Sequence, residues 1–165
     1  MEQAFLQAII DRPDDDAPRL IFADWLDERG RPGDADRAEF IRLQCACGMG
    51  DFPSMREMDL LSEHRREWTK PLLDLIPDLK DREVGFYHGF PYLITLRRME
   101  DINLIPELLK AAPIREVNLR SREVMGPTQD LSEMLHIPEV RALAEDLENG
   151  RYPAIKHVWI NVDQH

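Results

Sequence analysis

The residues in this chain whose types could do chemistry fall into a few small groups. Asp14-Asp15-Asp16 clusters three carboxylates, a donor set that suits a hard cation such as Ca²⁺ or Mg²⁺. The triplet lacks the alternating spacing and distal glutamate of an EF-hand loop, so helix capping and a solvated acidic turn account for it. Asp24 lies between Phe22 and Trp25 on a hydrophobic helix, where a carboxylate can be catalytic or can bond a neighbouring Arg19 or Arg37. The structural reading is preferred, and Asp16, Arg19 and Asp24 are taken as structural polar residues. Cys45-x-Cys47 with His64 offers two thiolates and an imidazole, but thiolates two apart on a helix diverge and no fourth zinc ligand is evident. His88, His136, His157 and His165 are scattered, and no serine sits in a G-x-S-x-G setting. Phosphate-binding glycine loops are absent too. The expectation is therefore no catalytic residue, no metal and no cofactor.

Composition narrows the partners. The chain has 165 residues, 43% of them hydrophobic and 32% charged, and a net charge of −11. A phosphate backbone is repelled by such a surface unless a basic patch is segregated. The one candidate patch is Arg97, Arg98, Arg115, Arg120 and Arg122, which a solvated strand edge also explains. Direct non-specific nucleic-acid binding is therefore not expected. No apolar run approaches the roughly 20 residues of a membrane helix, and no basic leader opens the chain, so no membrane partner or secretory route is expected. The two cysteines are poorly placed to bond each other, which fits a reducing, cytoplasmic setting.

The elements that would position these groups read as follows. Ala4, Phe5, Ala8 and Ile9 have helical spacing, and the helix should stop near Arg12-Pro13. Asp16 is placed to cap a second helix carrying Ile21, Phe22, Trp25 and Leu26, with Pro18 in its first turn and Gly30 at its end. Asp34 or Asp36 caps a third helix reaching about Cys47, and Ser54 caps a fourth over 54–68, followed by a short turn at Pro71 to Leu75. No strand signal precedes residue 84. Gly89 to Leu96, Ile114 to Leu119 and Ile155 to Val162 then read as strands, with helical segments over 102–111 and roughly 129–148 between them. Such alternation favours parallel pairing through right-handed crossovers.

The strands look like a degenerate repeat. Ala112 to Leu119 can be laid on Tyr152 to Ile160 with one residue of slack. The step from Leu93 to Val117 fits the roughly 20–29 residues of a leucine-rich repeat, whereas Val117 to Val158 is too long for one unit. The run A-F-L-Q-A-I-I-D-R-P-D-D-D-A-P-R-L-I-F-A-D-W-L-D-E-R-G from Ala4 to Gly30, followed by R-A-E-F-I-R-L-Q to Gln44, resembles the repeat-companion domain. This is a short helical module of planctomycetes and some myxobacteria, often set ahead of leucine-rich-repeat-like sequence. The resemblance covers about the first quarter of the chain and implies an architecture, with no catalytic residue to carry over. The later half has no L-x-x-L-x-L-x-x-N run.

The fold expected is α+β or α/β: a helical bundle of about four helices over 1–80, packed on a short leucine-rich-repeat-like β-α-β-α-β unit over 84–165 with about three parallel strands. The function expected is a non-catalytic protein-interaction or scaffold module with a protein partner. Tyr92, Arg115, Asn118, Arg120 and Trp159 are its candidate contact residues. The alternatives are an adaptor subunit of a nucleoprotein or enzyme complex, touching nucleic acid through the Arg97–Arg122 region, and an enzyme built on Asp24 and the histidines.

Overall fold

A computed structural model describes residues 1–47, 52–121, 135 and 137–162. Arg122 and His136, and the start of the helical zone expected from about residue 129, lie outside the described residues, as does His165. Within them the fold is mixed α+β, with six α-helices and a four-stranded mixed sheet.

Four helices come first, each with a local cause. α1 (Glu2–Asp11) ends where Pro13 forbids continuation. α2 (Ala17–Arg29) begins with Pro18 in its first turn and closes on Gly30, whose φ of 63° is left-handed. α3 (Asp34–Ala46) follows Gly33 and has Asp34 and Asp36 in its first turn, where the helix dipole favours anions. α4 (Met55–Leu75) is capped by Ser54, whose Oγ accepts the Glu57 N–H at 3.2 Å. It continues past Pro71, where the sequence points to a break and a short turn. Proline removes one helical hydrogen bond, but Thr69 and Leu72 on either side are buried, and their packing holds the helix together.

The sheet follows. β1 (Val84–Tyr87) and β2 (Phe90–Leu96) form an antiparallel hairpin. β3 (Glu116–Ser121) and β4 (His157–Val162) then add in parallel, giving the spatial order β1-β2-β3-β4. The parallel connections carry α5 (Ile105–Ala111) and α6 (Pro138–Glu148). β1 is a strand beyond the three expected. It is only four residues long, contains Gly85 and pairs on one side with a bulge, so it presents no alternating apolar run.

Two apolar clusters organise these elements. The first gathers Phe22, Ala23 and Leu26 of α2, Ile9 of α1, Ala38 and Ile41 of α3, and Phe90 of β2. The second joins Leu72 and Ile76 to Ile94 and Leu96, Val117 and Leu119, Leu108, Val140 and Leu143. Each fully buried aliphatic side chain contributes about 1.5–3 kcal/mol relative to exposure. α4 contributes to the sheet cluster, and Phe90 belongs to the helical one, so the two halves interlock across residues 72–90. Alternation along the strands points Ile94, Leu96, Val117 and Leu119 at the helices. Leu93, Thr95, Glu116, Asn118, His157 and Trp159 face the other way and are half-buried or exposed.

Between α2 and α3 the turn is held by charge. Arg29 bonds both oxygens of the buried Asp34 carboxylate, which also accepts the Arg31 N–H at 2.9 Å. These bonds hold the Asp34 carboxyl below its ordinary value of 3.8. A depressed folded-state value stabilises the fold fully above the ordinary value, and that stability is lost as pH falls through the lowered one. Asp34→Asn should cost about 1.5–3 kcal/mol at neutral pH, measured by urea denaturation, and the gap to the wild type should narrow as the pH falls below the ordinary carboxylate value. The hairpin tip gives a second expectation. A Cβ on Gly89 (φ 82°) would come within 2.7 Å of the Ile41 backbone, so Gly89→Ala should destabilise by more than about 2 kcal/mol in the same assay.

Candidate functional site

The three aspartates of the acidic turn do three different things. Asp14 reaches the sheet, with one oxygen 3.2 Å from Arg115 Nη2 and the other 2.8 Å from Lys156 Nζ. Asp15 Oδ1 accepts the Ala17 N–H at 2.9 Å and so supplies the cap of α2. Asp16 occupies the cap position expected of it, but its side chain makes no capping bond and turns instead to His88 Nδ1. Arg19 is 3% exposed and ties the same loop down, donating to the Asp15 carbonyl at 2.7 Å and the Pro13 carbonyl at 2.8 Å. Its structural role is thus to the loop and not to Asp24.

His88 and Gly89 are the two-residue loop of the β1–β2 hairpin, and both have positive φ, 50° and 82°. Two consecutive positive-φ residues make the turn that matches hairpin twist, and histidine is one of the few side chains enriched there. Gln44 of α3 accepts the Gly89 N–H at 2.7 Å and donates to Glu57 at 2.8 Å. Cys45, the next residue of α3, brings its Sγ to 4.0 Å from the His88 carbonyl. One donor atom each from Asp16, Cys45 and His88 lie within 4.8 Å of one another, all on half-buried side chains.

The electrostatics of this cluster decide what chemistry it supports. Burial first, and the Asp16 carboxylate second, push the Cys45 thiol up to about 12. A nucleophilic cysteine needs the opposite, a neighbouring cation or base that frees its thiolate. The carboxylate stands beside both the imidazole and the thiol, so the order is not that of a nucleophile oriented by a base and the base by an acid.

The other groups singled out from the sequence lie apart from this cluster. Asp24 is exposed and pairs with Arg42, which also takes Asp27. Cys47 Sγ is 4.0 Å from Glu57, and His64 stacks on Trp68 beside Asp36, so Cys45, Cys47 and His64 do not converge. Arg115 is buried against Asp14 and Tyr92 is half-buried, while Asn118, Arg120 and Trp159 share the face opposite Val117 and Leu119. Both departures come from strand parity, since Arg115 shares the inward side of Val117 and Leu119. Arg97 pairs with Glu83, and Arg98 with Asp101, Asp78 and Glu100, so these members of the basic patch face carboxylates.

A cleft of about 230 Å³ opens between the helices and the hairpin, lined by Leu6, Phe22, Leu26, Arg37, Trp68 and Phe90 among others. Arg37 lies over the Trp68 ring at 4.5 Å and the Phe90 ring at 5.0 Å, and its Nη1 is buried without a partner. Burial lowers its value to about 9, so it is still a cation at neutral pH. The lining contains no histidine, cysteine, serine, lysine or tyrosine. No helix among the described residues is long and apolar enough to cross a membrane. No family model, curated protein or solved structure matches the chain.

The Cys45 environment has a measurable consequence. At pH ~8 its alkylation by iodoacetamide in the metal-free native protein, followed by peptide mass spectrometry, should be at least about tenfold slower than that of a free model thiol.

Proposed function

We propose that the chain is a non-catalytic protein-interaction or scaffold module, in which a helical repeat-companion-like half carries a short leucine-rich-repeat-like array. The observation that carries this reading is Trp159, 49% exposed on the edge strand β4 and stacked on the exposed His157 at 5.6 Å. It stands in one cross-strand row with Asn118 and Thr95, on the face opposite the helical layer. Large aromatic anchors beside polar groups are the usual energetic centres of protein contacts. The parallel run β2-β3-β4, with α5 and α6 in its connections packed on one face, supports the repeat-like reading. A partner would bear on Trp159, Asn118 and Arg120, with Arg115 and Tyr92 acting from beneath the strand ends.

The adaptor reading, with contact to nucleic acid, has less support. Arg97, Arg98 and Arg115 each face a carboxylate, and the net charge is strongly negative. The enzyme reading loses its centre, because Asp24 is an exposed member of a surface ion pair. A reducing cytoplasm remains the proposed setting.

Trp159→Ala separates these readings. A protein partner captured by the wild-type chain from its host should bind the variant at least about 30-fold more weakly, as expected when a central aromatic is truncated. Unchanged capture by a folded Trp159→Ala chain, read by calorimetry with the purified partner, rejects this face as the contact.

A further inference from the structure

We propose that Asp16, Cys45 and His88 form a binding site for a divalent transition metal of the zinc class, with water or an exogenous donor completing the coordination. The argument starts from what the fold has brought together. The three donors come from the start of α2, the end of α3 and the tip of the β1–β2 hairpin, far apart in sequence. They supply one oxygen, one sulfur and one imidazole nitrogen, the donor types that zinc accepts and that calcium or magnesium do not favour.

The backbone beneath them is held. Gly89 rests on Ile41 too closely for any side chain, and its N–H is fixed by Gln44, the residue before Cys45. The hairpin tip and the end of α3 are thus one unit, and the Asp15 cap and the Arg19 bonds hold the loop that carries Asp16. Donors around a tetrahedral ion with bonds of about 2.0–2.3 Å lie about 3.3–3.8 Å apart. The observed span of up to 4.8 Å is within about an ångström of that spacing, a difference that side-chain rotation would take up, with Asp16 and His88 exchanging their mutual contact for the ion. All three side chains are half-buried, so an ion can enter and keep one open position.

Coordination is balanced simply. The metal takes the Cys45 sulfur electron pair as the thiol proton leaves to solvent, and the Asp16 carboxylate and the thiolate together neutralise the dication. Arg19, which is close enough to act on Cys45, donates through Nη1 and Nη2 to backbone carbonyls and has its buried Nε without a hydrogen-bond partner; a guanidinium has no lone pair to offer a metal. The inference is independent of the interaction face at Trp159, which lies on a different strand.

The test uses the intact, reduced chain and cobalt(II) as a spectroscopic substitute. One equivalent of cobalt should produce a near-ultraviolet thiolate-to-metal absorption that one equivalent of zinc bleaches. Cys45→Ser should abolish that band, and Cys47→Ser should leave it unchanged. Asp16→Asn and His88→Asn should weaken binding by at least about tenfold; asparagine tolerates the positive φ at position 88. Zinc should also protect Cys45 of the wild type from alkylation, a measurement that needs no variant to fold. Absence of the band at stoichiometric cobalt, its survival in Cys45→Ser, or alkylation of Cys45 at the same rate with and without zinc overturns the proposal.

Discussion

The structure depends on the approach of the Gly89 backbone to Ile41. A hairpin tip that presses against a helix with no side chain between them fixes where the sheet begins relative to the helical layer. Two hydrogen-bonded contacts hold that approach, His88 with Asp16 and Gly89 with Gln44. Phe90 immediately after the turn is driven into the helical cluster, and Ile94 four residues later enters the sheet cluster. One short strand therefore spans both cores, and β3 and β4 inherit their register from it. A hydrophobic pattern alone would leave that geometry loose, because apolar contact is not directional.

Charge is organised with equal economy. In a chain of net −11, the arginines that look like a basic patch are largely matched to acids, and the acids that look like a metal loop are divided among a cap, a sheet contact and a histidine. Arg37 is held differently, by aromatic faces at Trp68 and Phe90. Ring quadrupoles attract a cation without supplying a hydrogen-bond acceptor. That explains how a guanidinium is retained in an apolar cleft while one of its nitrogens finds no partner.

How much of this was legible in the sequence follows from the range of the interactions. The helices were readable because their signals are local: Pro18, Gly30 and Ser54 act within a turn of themselves. The parallel strands were readable from alternation. β1 was not, since its only signal is His88-Gly89, a weaker form of the Asn-Gly hairpin turn, and the apolar run of the next strand reads as beginning at Gly89 itself. Arg115 was placed outward because alternation gives a period and no absolute phase until one residue is anchored, and Asp14 supplies that anchor from 101 positions away. The cluster of Asp16, Cys45 and His88 had no sequence signature, as its spacing arises only when the hairpin folds back on α3. Asp24 misled for a related reason: its flanking aromatics are buried or half-buried while it faces Arg42 and water.

The 21-residue α4 gives the molecule a mechanical property of its own. Its first two thirds meet α3 through Arg56 on Glu39, Gln44 on Glu57 and Trp68 on Phe40, while its last third places Leu72 in the sheet core. A rod seated in two sockets transmits force. α4 runs unbroken from its contacts with α3 to Leu72 in the sheet core, so packing spans the border that the sequence places near residue 80.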